Sequence, residues 1–224
     1  MRYLRYLKNV MQYAIANKWA SEDPFLGKRF KRTVADREAL TEDELKRMMN
    51  LDLRDYPRVE AVRDTFVFCC FTGLAFCDIK SLKRSDITTD ADGRMWIRKH
   101  REKTGELSII PLLDVPRRLI EKYRNHPKVL LEDVVLPVIS NQRMNAYLKE
   151  VADLAKINRH LTSHIGRHTF ATLSLSNHVP IESISKMLGH SDIRTTQIYA
   201  KMQDKTIYED MASMRNKFDC AMMN

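Results

Sequence analysis

Leu188-Gly-His-Ser-Asp-Ile-Arg-Thr-Thr-Gln-Ile-Tyr-Ala-Lys201 places His190 directly after a glycine and nine residues ahead of Tyr199. Gly189 closes a helix predicted over Pro180 to Leu188, so His190 falls in a turn, and helical spacing resumes over Ile193 to Met202 with Tyr199 on it. A companion stretch, Ser163-His-Ile-Gly-Arg-His-Thr-Phe-Ala171, opens a helix predicted over Ser163 to Ser176. His164 and Arg167 are three residues apart on it and therefore share a face.

Upstream of this helical pair the pattern stays mostly α. Thr41-Glu-Asp-Glu44 is a capping box that opens a helix over Leu45 to Asn50. Glu60 to Phe71 is apolar on most sides, which predicts a buried helix, stopped by Thr72-Gly73. Leu74 to Leu82 is short and helical, and Val115 to Asn125 and Asn141 to Lys156 show the same 3.6-residue spacing. Between them the period changes to two. Turns at Asp90-Ala-Asp-Gly93 and Lys103-Thr-Gly-Glu106 bracket extended runs at Met95 to Lys99 and Leu107 to Leu112. With Ile87 to Thr89 these make a three-stranded antiparallel sheet. The expected fold class is mainly α with a small antiparallel β-sheet.

The chain has 224 residues and a formal charge of +9. From Met1 to Arg37 there are nine Lys/Arg against three Asp/Glu, a net of +6, so most of the excess lies at this end. A basic segment of that kind faces phosphate on nucleic acid or anionic lipid. Residues 3 to 20 form an amphipathic helix (Leu4, Leu7, Val10, Met11, Ala14, Ile15, Trp19) that cannot bury its apolar face alone. Residues 1–26 are therefore expected to be the end of a helical domain, 27–38 a basic linker lying on phosphate through Lys28, Arg29, Lys31 and Arg32, and 39–202 the main domain. The tail 203–224 carries a detachable helix that packs at home or on a neighbouring subunit. No apolar run approaches the roughly 20 residues of a membrane span, and the N-terminus lacks the apolar core and cleavage site of a signal peptide. A cytoplasmic protein without a membrane partner is expected. Cys69, Cys70, Cys77 and Cys220 form no C-x-x-C pair and are expected to be reduced core thiols.

Tyr199, Arg167, His164 and His190 together suit attack on a phosphodiester without a metal. A tyrosine hydroxyl has a free pKa near 10 and attacks only once a neighbouring cation or base favours loss of its proton. Charge then builds on the non-bridging oxygens of phosphorus and must meet fixed donors. A guanidinium offers two parallel hydrogen bonds, and His164 and the turn-held His190 can address the same phosphate. Bland readings compete. Tyr199 could be an ordinary helix aromatic like Tyr147 or Tyr208. His164 and His168, at i and i+4, could hold zinc, but no glutamate follows the first histidine and no third ligand is evident. His168 reads as a packing residue or as one that supports the site from behind, and no metal is expected.

Thr72-Gly-Leu74, Lys103 in its turn, His164-x-x-Arg167-His168, Leu188-Gly-His190 and Tyr199, in that order, resemble the tyrosine recombinase (phage integrase) family over almost the whole chain. The resemblance implies a catalytic domain preceded by the end of a core-DNA-binding domain. It implies strand cutting and rejoining on double-stranded DNA, with tyrosine taking the 3′ phosphate and the 5′ hydroxyl leaving. No metal or nucleotide is consumed, and the partners are other recombinase subunits, as a tetramer on DNA, in the bacterial nucleoid. Lys103 at a hairpin tip would protonate the leaving oxygen. It competes with Lys99 and Arg101, and only the turn position favours it.

One departure stands out. The family's first box usually ends Thr-Gly-Leu-Arg, whereas this chain has Thr72-Gly-Leu-Ala75 and lacks a second phosphate-binding arginine there. The box looks like that of integrases from mobile elements of Bacteroides-type bacteria. Loss of one transition-state donor costs on the order of 10²- to 10³-fold, so another cation must substitute or the enzyme is impaired. Arg63, in the buried helix just before the box, is the expected substitute, because a charge among apolar residues needs a partner. A structural ion pair with Asp64, Glu60 or Asp78 competes with that role, and Lys80 and Arg84 rank behind. The alternatives for the whole chain are a catalytically impaired DNA-binding relative and a type IB topoisomerase.

Overall fold

The computed structural model describes residues 2–27 and 39–200, which fall in two compact units, Met1–Asp36 and Arg37–Asn224. Lys28, Arg29, Lys31 and Arg32, and the tail 203–224, lie outside the described residues.

The first unit holds α1 (Arg2–Ala16). The chain turns beyond it at Lys18, φ 60°, where the Trp19 amide donates to the Ala14 carbonyl at 2.8 Å and the Trp19 ring meets Tyr13 edge to face at 5.8 Å. Tyr3, Leu4, Leu7 and Val10 remain exposed. One helix has no second apolar surface of its own to pack on.

In the second unit, α2 (Glu42–Met49) begins with the capping box read from sequence. The Thr41 hydroxyl accepts from the Glu44 amide at 3.2 Å, and the Glu44 carboxylate accepts from the Thr41 amide at 2.8 Å. The central element is α3 (Pro57–Thr72), started by Pro57 and ended by Gly73 in the left-handed region at φ 67°. It packs against α2, α5 (Asp114–Tyr123), α7 (Asn141–Leu154) and α8 (Ser163–Ser176). Phe66 and Phe68 on it are fully enclosed, each contributing about 1.5–3 kcal/mol on transfer from water. After the short α4 (Phe76–Lys80), strands β1 (Ile87–Thr89), β2 (Met95–His100) and β3 (Leu107–Pro111) pair antiparallel in that order. Ile97 pairs with Ile110, and both point into the core. At the opposite end of the hairpin, residues 102 to 106 are exposed.

The fold class expected from sequence is the one observed, with small shifts at element ends. The helix α6 (Pro127–Glu132) was not anticipated. Its six residues are too few to show a helical period, although a proline at the first helical position is a start signal. Two further helices, α9 (Ile181–Leu188) and α10 (Arg194–Ala200), complete the described chain. Cys69 and Cys70 are buried free thiols as expected, and burial pushes Cys69 up to about 12. Cys77 departs from the expectation: it lies at the start of α4, where its side chain is exposed.

Candidate active site

Helix α8 carries two of the candidate groups, His164 and Arg167, and is held at its start and along its middle. Asn145 accepts from the Ser163 amide at 3.0 Å, and Asn141 accepts from the Ser163 hydroxyl at 2.9 Å, tying its start to α7. Farther along, the Thr169 hydroxyl accepts from the Leu40 amide at 3.0 Å. At Gly166 the helix presses so closely on α3 that a Cβ there would fall 2.7 Å from Cys69 Cβ. This close contact brings Arg167 to the C-terminal end of α3.

Arg167 is 3% exposed. Its Nη1 donates to the Gly73 carbonyl and its Nη2 to the Leu188 carbonyl, both at 2.6 Å, so it ties together the ends of α3 and α9. Burial first, and the nearby Arg101 guanidinium second, pull it down to about 10, which still leaves it charged at neutral pH. Nη2 also lies 3.0 Å from His190 Nε2. Because a guanidinium only donates, Nε2 must accept, and a neutral His190 then carries its proton on Nδ1, which faces the Thr196 hydroxyl at 2.7 Å. The turn predicted behind Gly189 is present: Gly189 has φ 58°, and a Cβ on it would fall 2.5 Å from the Ser108 hydroxyl and 2.6 Å from Arg101 Cδ.

Tyr199 is 3% exposed, its ring among Phe170, Ile184 and Leu188, and its hydroxyl 2.8 Å from His168 Nδ1. His168, read from sequence as a packing residue or one that supports the site from behind, contacts the Tyr199 hydroxyl. The exposed His164 stacks edge to face on His168 with ring centres 4.3 Å apart. A cavity of about 330 Å³ is lined by Arg101, Lys103, Thr104, His164, Arg167, Gly189, His190, Ser191, Thr195 and Tyr199. Five of the six expected catalytic residues thus meet on one cavity of one chain, and among the described residues no carboxylate lines it. The arrangement presents a hydroxyl beside imidazoles, a guanidinium and an ammonium, which suits attack at an anionic phosphorus centre.

Arg63 is the exception and corrects the expectation from sequence. Its Nε donates to Asp64 at 2.6 Å and its Nη1 to the carbonyls of Met48, Met49 and Leu51 at 3.1–3.2 Å. It is absent from the cavity lining because these acceptors hold it at the other end of α3. The competing ion-pair reading is the one the structure displays, with Asp64 as the main partner and Glu60 at 3.7 Å. The choice among Lys99, Arg101 and Lys103 also resolves geometrically. Lys99 is bound to the Ser81 carbonyl at 3.0 Å and Asp86 at 3.4 Å, while Lys103 and Arg101 both reach the cavity. Sequence ranks Arg101 below Lys103 because the contacts that place it, with Asp78 and Gly189, span 23 and 88 residues. Among the described residues no group of three His, Cys, Asp or Glu side chains comes together to hold a metal.

Residues 38–206 match the phage integrase family, so the chain belongs to that family. Tyrosine recombinase XerD of Staphylococcus haemolyticus is 27% identical over 225 residues, covering 92% of this chain and 74% of that protein. Tyrosine recombinase XerA of Saccharolobus solfataricus is 36% identical over 131 residues, which are 58% of this chain and 42% of that protein. Among solved structures, a lambda integrase (75–356) dimer bound to a COC′ core site aligns with a TM-score of 0.68 at 19% identity, over 86% of this chain and 69% of that one. XerH recombinase in a post-cleavage complex with a palindromic difH substrate aligns with a TM-score of 0.61 at 18% identity. This alignment covers 79% of the present chain and 53% of XerH, so the chain spans about half of that relative. At these identities the solved structures establish the fold.

Proposed function

We propose that this chain cuts and rejoins DNA strands at specific sites through a 3′-phosphotyrosine. The observation that carries the reading is the convergence of Tyr199, Arg167, His164, His190 and Lys103 on one cavity. The Tyr199 oxygen attacks the scissile phosphorus while its proton passes to an imidazole, for which His168 lies in hydrogen-bonding position at 2.8 Å. Arg167 and His164 meet the non-bridging oxygens, and His190, whose ring nitrogens face Arg167 and the Thr196 hydroxyl, holds the Arg167 guanidinium toward them. The bond from phosphorus to the 5′ oxygen breaks, and Lys103 supplies the proton that the leaving oxygen needs. Attack by another 5′ hydroxyl on the phosphotyrosine reverses the step and exchanges strands. The phosphodiester energy is kept in the covalent bond, so the scheme consumes no nucleotide and uses no metal.

The resemblance to solved dimers and tetramers on DNA supports a multimer on duplex DNA as the working form. Residues 1–26 would then be the end of a core-binding domain, 39–202 the catalytic domain, and 203–224 a segment exchanged between subunits. Lys28, Arg29, Lys31 and Arg32 of the 27–38 linker would contact phosphates. Among the described residues no helix is long and apolar enough to cross a membrane, which fits action on DNA in the bacterial cytoplasm, at the nucleoid. The Thr72-Gly-Leu-Ala75 box supports integration and excision of a mobile element of the Bacteroides type. The test is a duplex selected by this chain from a random-sequence library and nicked so that the 5′-hydroxyl fragment diffuses away. The chain should accumulate covalently on it, and Tyr199→Phe should bind equally well without reacting. Binding without an adduct by the unsubstituted chain would establish the impaired relative instead. Religation to the same strand alone, without exchange, would establish the topoisomerase.

A further inference from the structure

We propose that Arg101 is the second phosphate-binding arginine of this site, doing from the hairpin what the box at Ala75 cannot. The inference rests on the function proposed above.

Phosphoryl transfer through a tyrosine raises the charge on two non-bridging oxygens, and Arg167 alone cannot hold both from one side. Two of its five N–H groups already go to the Gly73 and Leu188 carbonyls and a third to His190. Arg101 approaches the same spot from the opposite wall. Its Nη1 donates to the Gly189 carbonyl at 3.2 Å, the peptide unit next to the one held by Arg167. Its Nε lies 3.5 Å from Asp78 Oδ2, and its Nη2 has no protein acceptor among the described residues. The side chain is held rather than loose. Asp78 is fully buried on α4, three residues after Ala75, and its other oxygen accepts from the Glu102 amide at 2.9 Å. The Arg101 backbone is fixed by hydrogen bonds with Glu106 and Gly105, both at 2.9 Å, and its Cδ lies only 2.6 Å from where a Cβ on Gly189 would be. A sequence that loses an arginine at the start of α4 thus keeps an acid on α4 that anchors an arginine arriving from β2. The two guanidiniums and Lys103 face the cavity with one buried carboxylate behind them, an excess of positive charge that a phosphodiester and its more highly charged transition state would neutralise.

The experiment uses the full chain with the selected, nicked duplex and the same duplex carrying a neutral methylphosphonate at the scissile position. Arg101→Ala should slow adduct formation about 10²- to 10³-fold on the phosphate while leaving duplex binding within a few-fold. On the methylphosphonate, where one charge needing neutralisation is gone, Arg101→Ala should come within about tenfold of the unsubstituted chain. Arg101→Lys, which keeps the charge without the fork, should fall between on the phosphate. Equal rates for Arg101→Ala and the unsubstituted chain on phosphate would overturn the proposal, and so would an equal loss on both linkages, which marks a purely structural role. No adduct from the unsubstituted chain on either duplex overturns the proposed function itself, and this inference with it.

Discussion

Arg63 and Arg167 are both buried arginines, 7% and 3% exposed, and the sequence suggested the same role for each. Arg63 has its counterion built in: Asp64 lies at 2.6 Å, and Asp64 in turn accepts from Lys122 at 2.6 Å and from the Tyr123 hydroxyl at 2.7 Å. Burial, and then the Asp64 charge, push the Tyr123 hydroxyl up, which keeps it a donor. Arg167 has two carbonyls and a histidine, no carboxylate in contact, and an open cavity beside it. A buried cation that is fully neutralised by the protein is part of the structure. One whose neutralisation is left incomplete is prepared for an anion, at some expense in stability.

That contrast can be broken in several places. Arg63→Ala leaves Asp64 buried beside the remaining Lys122 and should cost about 3–5 kcal/mol in chemical denaturation, with adduct formation per folded molecule unchanged. A catalytic loss exceeding the loss of folded protein would return Arg63 to the site. Arg167→Ala should lose both: the Gly73 and Leu188 carbonyls left without their donor cost about 1–3 kcal/mol in stability, and adduct formation per folded molecule falls by a further factor of about 10² to 10³, equivalent to ~3–4 kcal/mol. Gly189→Ala tests the wall between Arg167 and Arg101. It demands an unfavourable φ of 58° and a Cβ within 2.6 Å of Arg101 Cδ. It should cost about 1–3 kcal/mol in stability and slow cleavage at the same time, and a variant normal in both would show the wall to be pliable. The smallest effect concerns thiols. Cys69 is buried and pushed up to about 12, and Cys70 is raised further by its burial. Neither should react with a maleimide in the native chain, whereas Cys77 should label slowly. Arg63→Ala should speed labelling of Cys69 by loosening α3.

Much of the fold was legible because its signals are local. The capping box at Thr41 and Glu44, the glycines closing α3 and α9, and the change of period across 87–112 are each contained within a few residues, and each produced the expected element. The helix α6 escaped because six residues hold less than two turns. The site was legible in part for a different reason. Order and spacing along α8 and the α9–α10 turn brought His164, Arg167, His190 and Tyr199 together, but nothing local distinguishes Arg63 from Arg101. Both are arginines near an acid. What separates them is the destination of their side chains, the carbonyls at the end of α2 in one case and the Gly189 carbonyl 88 residues away in the other. For the same reason the sequence left open what His168 supports, since its partner Tyr199 is 31 residues on.

The central claim is that Tyr199 becomes covalently joined to DNA in the cavity of its own chain. Mass spectrometry of the adduct trapped on the nicked duplex should find the nucleotide on the peptide that contains Tyr199. In mixtures of Tyr199→Phe and Arg167→Ala chains, activity should not be restored, because neither chain then holds a complete site. An adduct on another tyrosine such as Tyr208, no adduct at all, or full activity in the mixture would contradict it.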